Sequence, residues 1–261
     1  SETRPKTRPS SPVFRPVNFM HKKTDIIIER ADIILGGAER SVFETASALR
    51  ARGLEVDILA ARGQTQARNI RVLCTSHKGK RARLTDFEDQ LKSYIQKNNY
   101  DIIHSVLPFD FADVYQPRGG SYPESIIRNA ASYQNRYIKF YKKATSGLNL
   151  RRRRLLKYEK RICRAENGPA VAAISHYVAE HFRQHYNIPE HRLFTISNGV
   201  KTDKNINRKD ADKLRGQILA KLDLKEPDNP VFFLFAANNF RLKGLGSIIK
   251  AMSICIQNRS E

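Results

Sequence analysis

Short aliphatic runs alternate with helical stripes along this chain, and the order of the two kinds of segment sets the architecture. Thr24-Asp25-Ile26-Ile27-Ile28 is apolar and β-branched, as a buried parallel strand should be. After Gly36-Gly37, residues Ala38, Val42, Ala46 and Leu49 recur at helical spacing, with Glu39, Arg40, Glu44 and Arg50 mostly off that stripe. Gly53 stands where a C-cap glycine belongs, and Leu54–Leu59 is again apolar. Strand, Gly-Gly, helix, Gly and strand make one right-handed βαβ unit. Its mouth is a helix N-terminus, whose free N–H groups favour an anion such as a phosphate. The glycine pair is not the dinucleotide fingerprint, since no acidic residue closes the second strand. A tight turn before an ordinary core helix is the plainer reading of the same residues.

The unit repeats. Ile70–Cys74 reads as a third strand, followed by basic loop residues Lys78, Lys80, Arg81 and Arg83. Thr85 and Glu88 have capping-box spacing, and Phe87, Leu91 and Ile95 form the next apolar stripe. Tyr100–Leu107 reads as a strand stopped by Pro108. His104 is near its carboxyl end, the edge that faces the ligand crevice in an open α/β sheet, where it is either a base or simply packed. Asp113 follows in the loop as a catalytic carboxylate or a helix cap, and Arg118-Gly119-Gly120 is a second turn on that edge. Val171–Ile174, a helix capped by Ser175 and carrying Val178, Phe182 and Tyr186, and Leu193–Ile196 continue the pattern. His181 and His185 share a helix face, but HFRQH lacks the glutamate of a metalloprotease motif. Beyond Gly199, a helix over Asp210–Leu222, a strand over Val231–Ala236 and a helix carrying Ile248, Ile249, Met252 and Ile256 read as the opening of a second domain. The fold class is therefore α/β: a Rossmann-like parallel sheet with flanking helices over 24–200, and an incomplete second unit over 201–261.

Charge changes the picture. A net charge of +21 is a field for polyanions: acidic lipid headgroups, a phosphorylated glycolipid or nucleic acid. Much of it is concentrated between Tyr122 and Arg164, where Ile126, Ile127, Tyr133, Tyr137, Phe140 and Tyr141 alternate with Arg and Lys. The run Arg151, Arg152, Arg153, Arg154 follows, and Glu124 and Glu159 are the sparse acids. This reads as a basic aromatic helix suited to an anionic membrane surface, or to a nucleic-acid backbone. Residues 1–23 read as a basic tail without the apolar segment of a secretory signal. The three scattered cysteines suggest a reducing compartment and no zinc motif. No apolar run reaches the roughly 20 residues of a membrane span.

Three stretches together resemble the family 4 glycosyltransferases with the GT-B fold. Gly36-Gly37-Ala38-Glu39-Arg40 is similar to their first loop. Ser175 through Asn198-Gly199-Val200 is similar to the passage closing their first domain, and Phe240 to Gly244 to the Lys-Gly loop opening their second. Within the family the chain most resembles the branch that glucosylates the lipopolysaccharide inner core, through Asp113-Val114-Tyr115, Tyr122-Pro123-Glu124 and the basic segment after them. The resemblance implies retaining transfer of a hexose, glucose from UDP-glucose, to a lipopolysaccharide-core-like glycolipid. The nucleotide sugar is the substrate, with no cofactor and no obligatory metal. It implies that Gly36, Gly37, Arg241 and Lys243 meet the donor diphosphate. Asp113, with His104 second, would serve the acceptor hydroxyl, and Arg151 to Arg154 would hold the anionic glycolipid. The setting it implies is peripheral, on the cytoplasmic face of the inner membrane. Leu242 stands where the family often has Arg, and the chain ends before the family's paired-glutamate motif, so it reads as a fragment expected not to turn over unaided. A basic nucleic-acid-binding α/β protein and a non-catalytic remnant are the competing readings.

Overall fold

The computed structural model describes residues 22–32, 37–65, 67–74, 82–133, 135–145, 148–199, 207–223, 231–237 and 239–258. Most of the basic tail, Gly36, Lys78, Lys80, Arg81 and Val200 lie outside them.

Among the described residues, seven strands form one sheet in the order β3-β2-β1-β4-β5-β6-β7, every neighbour parallel. They are β1 (Lys23–Arg30), β2 (Glu55–Arg62), β3 (Ile70–Val72), β4 (Ile102–Ser105), β5 (Val114–Tyr115), β6 (Ala170–Ala173) and β7 (Leu193–Thr195). Successive side chains of β1 face opposite ways, and both faces are covered. Ile26 and Ile28 pack with Val42 and Ala46 of α1 (Gly37–Arg50). Ile27 packs on the other face with Phe87 and Leu91 of α2 (Leu84–Asn98). Over β5 to β7, Ile162 of α5 (Leu150–Arg164) and Phe182 of α6 (His176–Tyr186) close a third core cluster. Gly53 has φ of 87° and Ser175 accepts from the Val178 N–H, so both expected caps are present. The strand order reverses between β1 and β4. At such a reversal the loops leave in opposite directions and a crevice opens at the carboxyl ends.

Several expectations are corrected. Thr85 and Glu88 form no capping box: α2 starts at Leu84, its N-cap Arg83 makes no side-chain cap, and Glu88 turns inward to accept from Tyr158 at 2.7 Å. The basic segment is three helices, α3 (Tyr122–Ala131), α4 (Arg136–Thr145) and α5, rather than one. β5 has two residues, too short for periodicity to reveal. Val231–Ala236 is not a strand: residues 231–237 pair with no neighbour among the described residues, and Leu234 is 95% exposed. α7 (Arg208–Lys221) and α8 (Leu245–Gln257) form as helices, and α8 buries none of its residues.

Candidate active site

The sheet reversal holds an open crevice of about 250 Å³. Its floor is Ile28 to Arg30 at the end of β1 and Val106 and Leu107 after β4. One wall is Glu39 and Val42 of α1; the other is the Pro117 to Gly120 loop and Tyr122 of α3. Gly37 begins α1 at the same edge, and a Cβ there would meet nothing within 4 Å. Packing against the described residues therefore does not demand glycine at 37.

Charged side chains ring this crevice. Arg30 donates to Glu39 at 3.2 Å and lies 3.8 Å from Asp32. Glu29 is 2.9 Å from Arg151 and 4.0 Å from Arg62. Arg118 is tied differently. Its Nη1 donates to Ser41 Oγ at 2.7 Å and to Asn198 Oδ1 at 3.3 Å, drawing the loop after β5, helix α1 and the chain after β7 together. Burial holds the Arg118 guanidinium below its ordinary pKa.

Behind the wall is a buried carboxylate. Glu159 of α5 accepts from the hydroxyls of Tyr115 at 2.7 Å and Tyr186 at 2.5 Å, and from the Tyr122 N–H at the start of α3 at 2.7 Å. Burial pushes its carboxyl up to about 7, against the pull of these three donors. It also raises the Tyr115 and Tyr122 hydroxyls, so both crevice tyrosines stay neutral.

The residues singled out from sequence divide. Gly37 begins α1 two residues before the crevice-lining Glu39 and does not itself line the crevice, while Gly36 lies outside the described residues. His104 does not line the crevice. It sits inside β4 between Ile26 and Val114, and burial together with the Arg118 charge brings its imidazole down to about 4. Asp113 lies on the amino side of β5, level with Ile103, where its Oδ2 accepts the Ile103 N–H at 2.8 Å. Neither residue is therefore brought to the crevice, whose carboxylates are Glu29 and Glu39. Arg241 stacks on Tyr133, its guanidinium 3.7 Å from the ring centroid, and Lys243 is exposed; neither lines the crevice. The four arginines split, because consecutive helical residues are about 100° apart. Arg151 turns in to Glu29, Arg152 is half-buried, and Arg153 and Arg154 are exposed. On α4, Tyr137, Phe140 and Tyr141 are 77%, 76% and 62% exposed, an aromatic face beside cations. His181 and His185 both approach Glu124, at 4.0 and 3.3 Å, bracing α3 on α6. Among the described residues no group of three or more His, Cys, Asp or Glu is arranged to hold a metal ion.

Sequence reasoning gave no role to Arg118 or Glu159. Both carried a signal: Arg118 precedes a Gly-Gly turn on the carboxyl edge, and Glu159 is an acid on the Leu155–Ile162 stripe of a basic helix.

Residues 35–204 match the family described as Glycosyltransferase Family 4. The fold is similar to the crystal structure of WaaG, a glycosyltransferase involved in lipopolysaccharide biosynthesis, with a TM-score of 0.59 and 14% identity over 75% of this chain and 51% of that one. A glycosyltransferase from Rickettsia africae ESF-5 aligns with a TM-score of 0.44 and 17% identity over 78% of this chain and 50% of that one. The chain thus spans about half the length of each of these solved structures. No curated protein matches it in sequence. With the family matched over more than half of its length and the sheet, reversal and crevice in place, this chain belongs to Glycosyltransferase Family 4.

Proposed function

We propose that the protein takes part in retaining transfer of a hexose, glucose from UDP-glucose, to a phosphorylated, lipopolysaccharide-core-like glycolipid at a membrane surface. Family membership supports glycosyl transfer. The observation that supports a phosphate-bearing donor is the crevice at the sheet reversal, with α1 and its N-terminal Glu39 on one side and Arg118 on the other. The barrier in such a transfer is charge separation between a sugar cation and a departing diphosphate. Fixed N–H dipoles and cations at the leaving group lower it. Gly37 leaves room for the diphosphate against α1. Lys243, exposed on the loop before α8, is available as a further cation for it. No cofactor is invoked, and no metal is needed where N–H groups and cations carry the charge.

The membrane side of the proposal rests on α4 and the outer face of α5. Tyr137, Phe140 and Tyr141 would enter the headgroup region while Arg153 and Arg154 meet anionic lipid. Among the described residues no helix is long and apolar enough to cross a membrane. The setting proposed is peripheral, on the cytoplasmic face of the inner membrane.

The test is a thermal-shift and calorimetric titration of the chain with UDP, UDP-glucose, ADP-glucose and a single-stranded oligonucleotide. A ligand that binds only the folded state raises the melting temperature with concentration. UDP-glucose is expected to do so more strongly than ADP-glucose. Salt-sensitive binding of the oligonucleotide, with no response to any nucleotide sugar, would overturn the proposal in favour of a nucleic-acid-binding protein.

A further inference from the structure

We infer that Arg118 is an anion-binding residue of the crevice, receiving a phosphate group of the substrate. The inference deepens the reading above and rests on it for the identity of that substrate. Its basis is the distribution of charge in the crevice. Arg30 is neutralised by Glu39 and Asp32, and Glu29 by Arg151. Arg118 lines the same space, yet among the described residues no carboxylate lies within ion-pairing distance of it. Burial lowers its pKa.

A half-buried guanidinium without a counter-charge costs stability, a cost that a bound anion offsets. The surrounding contacts suit that use. Nη1 is fixed by Ser41 and Asn198, and Ser41 Oγ itself lies 3.1 Å from Asn198 Oδ1, so the group is pinned by two segments of chain beyond its own loop. Its Nε and Nη2 are buried, with no acceptor among the described residues. Two adjacent N–H donors on a guanidinium edge match two oxygens of one phosphate. The loop that carries Arg118 turns at Gly120, whose φ of 78° allows the tight return into α3.

Phosphate chemistry has two sources here, the donor diphosphate and a phosphorylated acceptor. Calorimetry of the wild-type chain, Arg118→Met and Arg118→Lys with pyrophosphate, UDP and glucose 6-phosphate separates them. Arg118→Met is expected to weaken at least one of the three tenfold or more, with Arg118→Lys recovering part of the loss as a charge without the fork. Loss confined to pyrophosphate and UDP assigns Arg118 to the donor; loss confined to glucose 6-phosphate assigns it to the acceptor. Undiminished affinity of a folded Arg118→Met for all three, or no binding of any by wild type, overturns the inference. Should Arg118→Met not fold, Arg118→Lys decides the matter: affinities equal to wild type for all three overturn the inference. Pyrophosphate binding lost in Arg118→Met, with UDP no tighter than pyrophosphate in wild type, leaves Arg118 standing and counts against a nucleotide-sugar substrate.

Discussion

The Tyr115 hydroxyl stands 2.7 Å from one oxygen of Glu159, and the Tyr186 hydroxyl 2.5 Å from the other, in a place closed to solvent. Tyr115 lines the crevice, so Glu159 braces the site from behind. Burial raises its carboxyl from the ordinary 4.5 to about 7, and between those values the folded protein holds a proton that the unfolded chain has released. Its contribution to stability is therefore full below pH 4.5 and is lost as pH rises through 7. Glu159→Gln should flatten that slope, removing a fall of up to about 3 kcal/mol. Asp25, buried and pushed up to about 8, slopes the same way, so the quantity to measure is the difference between wild type and variant in urea unfolding from pH 4 to 9. Parallel curves would contradict the account.

Arg192 closes the carboxyl end of α5. It donates to the carbonyl oxygens of Ile162 at 2.7 Å, Pro169 at 3.0 Å and Ala165. Gly168 makes the approach possible, since a Cβ there would lie 2.5 Å from Arg192 Nη2. Arg192→Met and Gly168→Ala should each cost about 2–4 kcal/mol in urea unfolding, through orphaned buried carbonyls or a forced clash. A cost below about 1 kcal/mol for either would contradict this reading.

The arginine run should separate by face. Arg151→Gln breaks a half-buried pair with Glu29 and should destabilise the fold while leaving vesicle binding intact. Arg153→Glu with Arg154→Glu should leave the melting temperature within a few degrees and weaken sedimentation with anionic vesicles, more so at low salt. Tyr137→Ser with Phe140→Ser should weaken it at any salt concentration. Equal binding by all variants, or equal binding of wild type to neutral vesicles, would contradict the membrane account.

Gly37→Val tests the helix end. The added side chain meets open space, so the variant should fold with an unchanged melting temperature. It occupies the room proposed for the diphosphate, so UDP affinity should fall tenfold or more. A folded variant with wild-type UDP affinity would remove Gly37 from the site.

The parallel sheet was legible because its strands are buried: Ile26 to Ile28 and Val171 to Ile174 read as continuous apolar runs, and Val56, Ile58 and Leu59 as a mostly apolar one interrupted by Glu55 and Asp57. Helices α1 and α6 were legible from stripes and caps, Gly53 and Ser175 among them. Pattern failed where tertiary partners decide. Glu88 has capping-box spacing, yet Tyr158, 70 residues away, takes its carboxylate. Val231 to Ala236 has strand composition, but a strand exists only where a neighbour accepts its hydrogen bonds. In the site, the Gly37 helix start was visible because Gly-Gly before an apolar stripe is a local signal. The placement of Asp113 on the amino side of β5 was not, since it depends on the register Val114 takes with His104. Arg118 drew no role for the same reason: its contacts to Ser41 and Asn198 span about 80 residues in either direction.

In the proposed function, substrate enters the crevice at the β1–β4 reversal. Hydrogen exchange of the chain, measured with and without saturating UDP-glucose, locates the binding directly. Slowed exchange is expected at residues 28–30, in the first turns of α1 and across the loop 116–121, with α7 and the far end of α2 unchanged. A protein that binds UDP-glucose without protecting any of these segments would contradict the account.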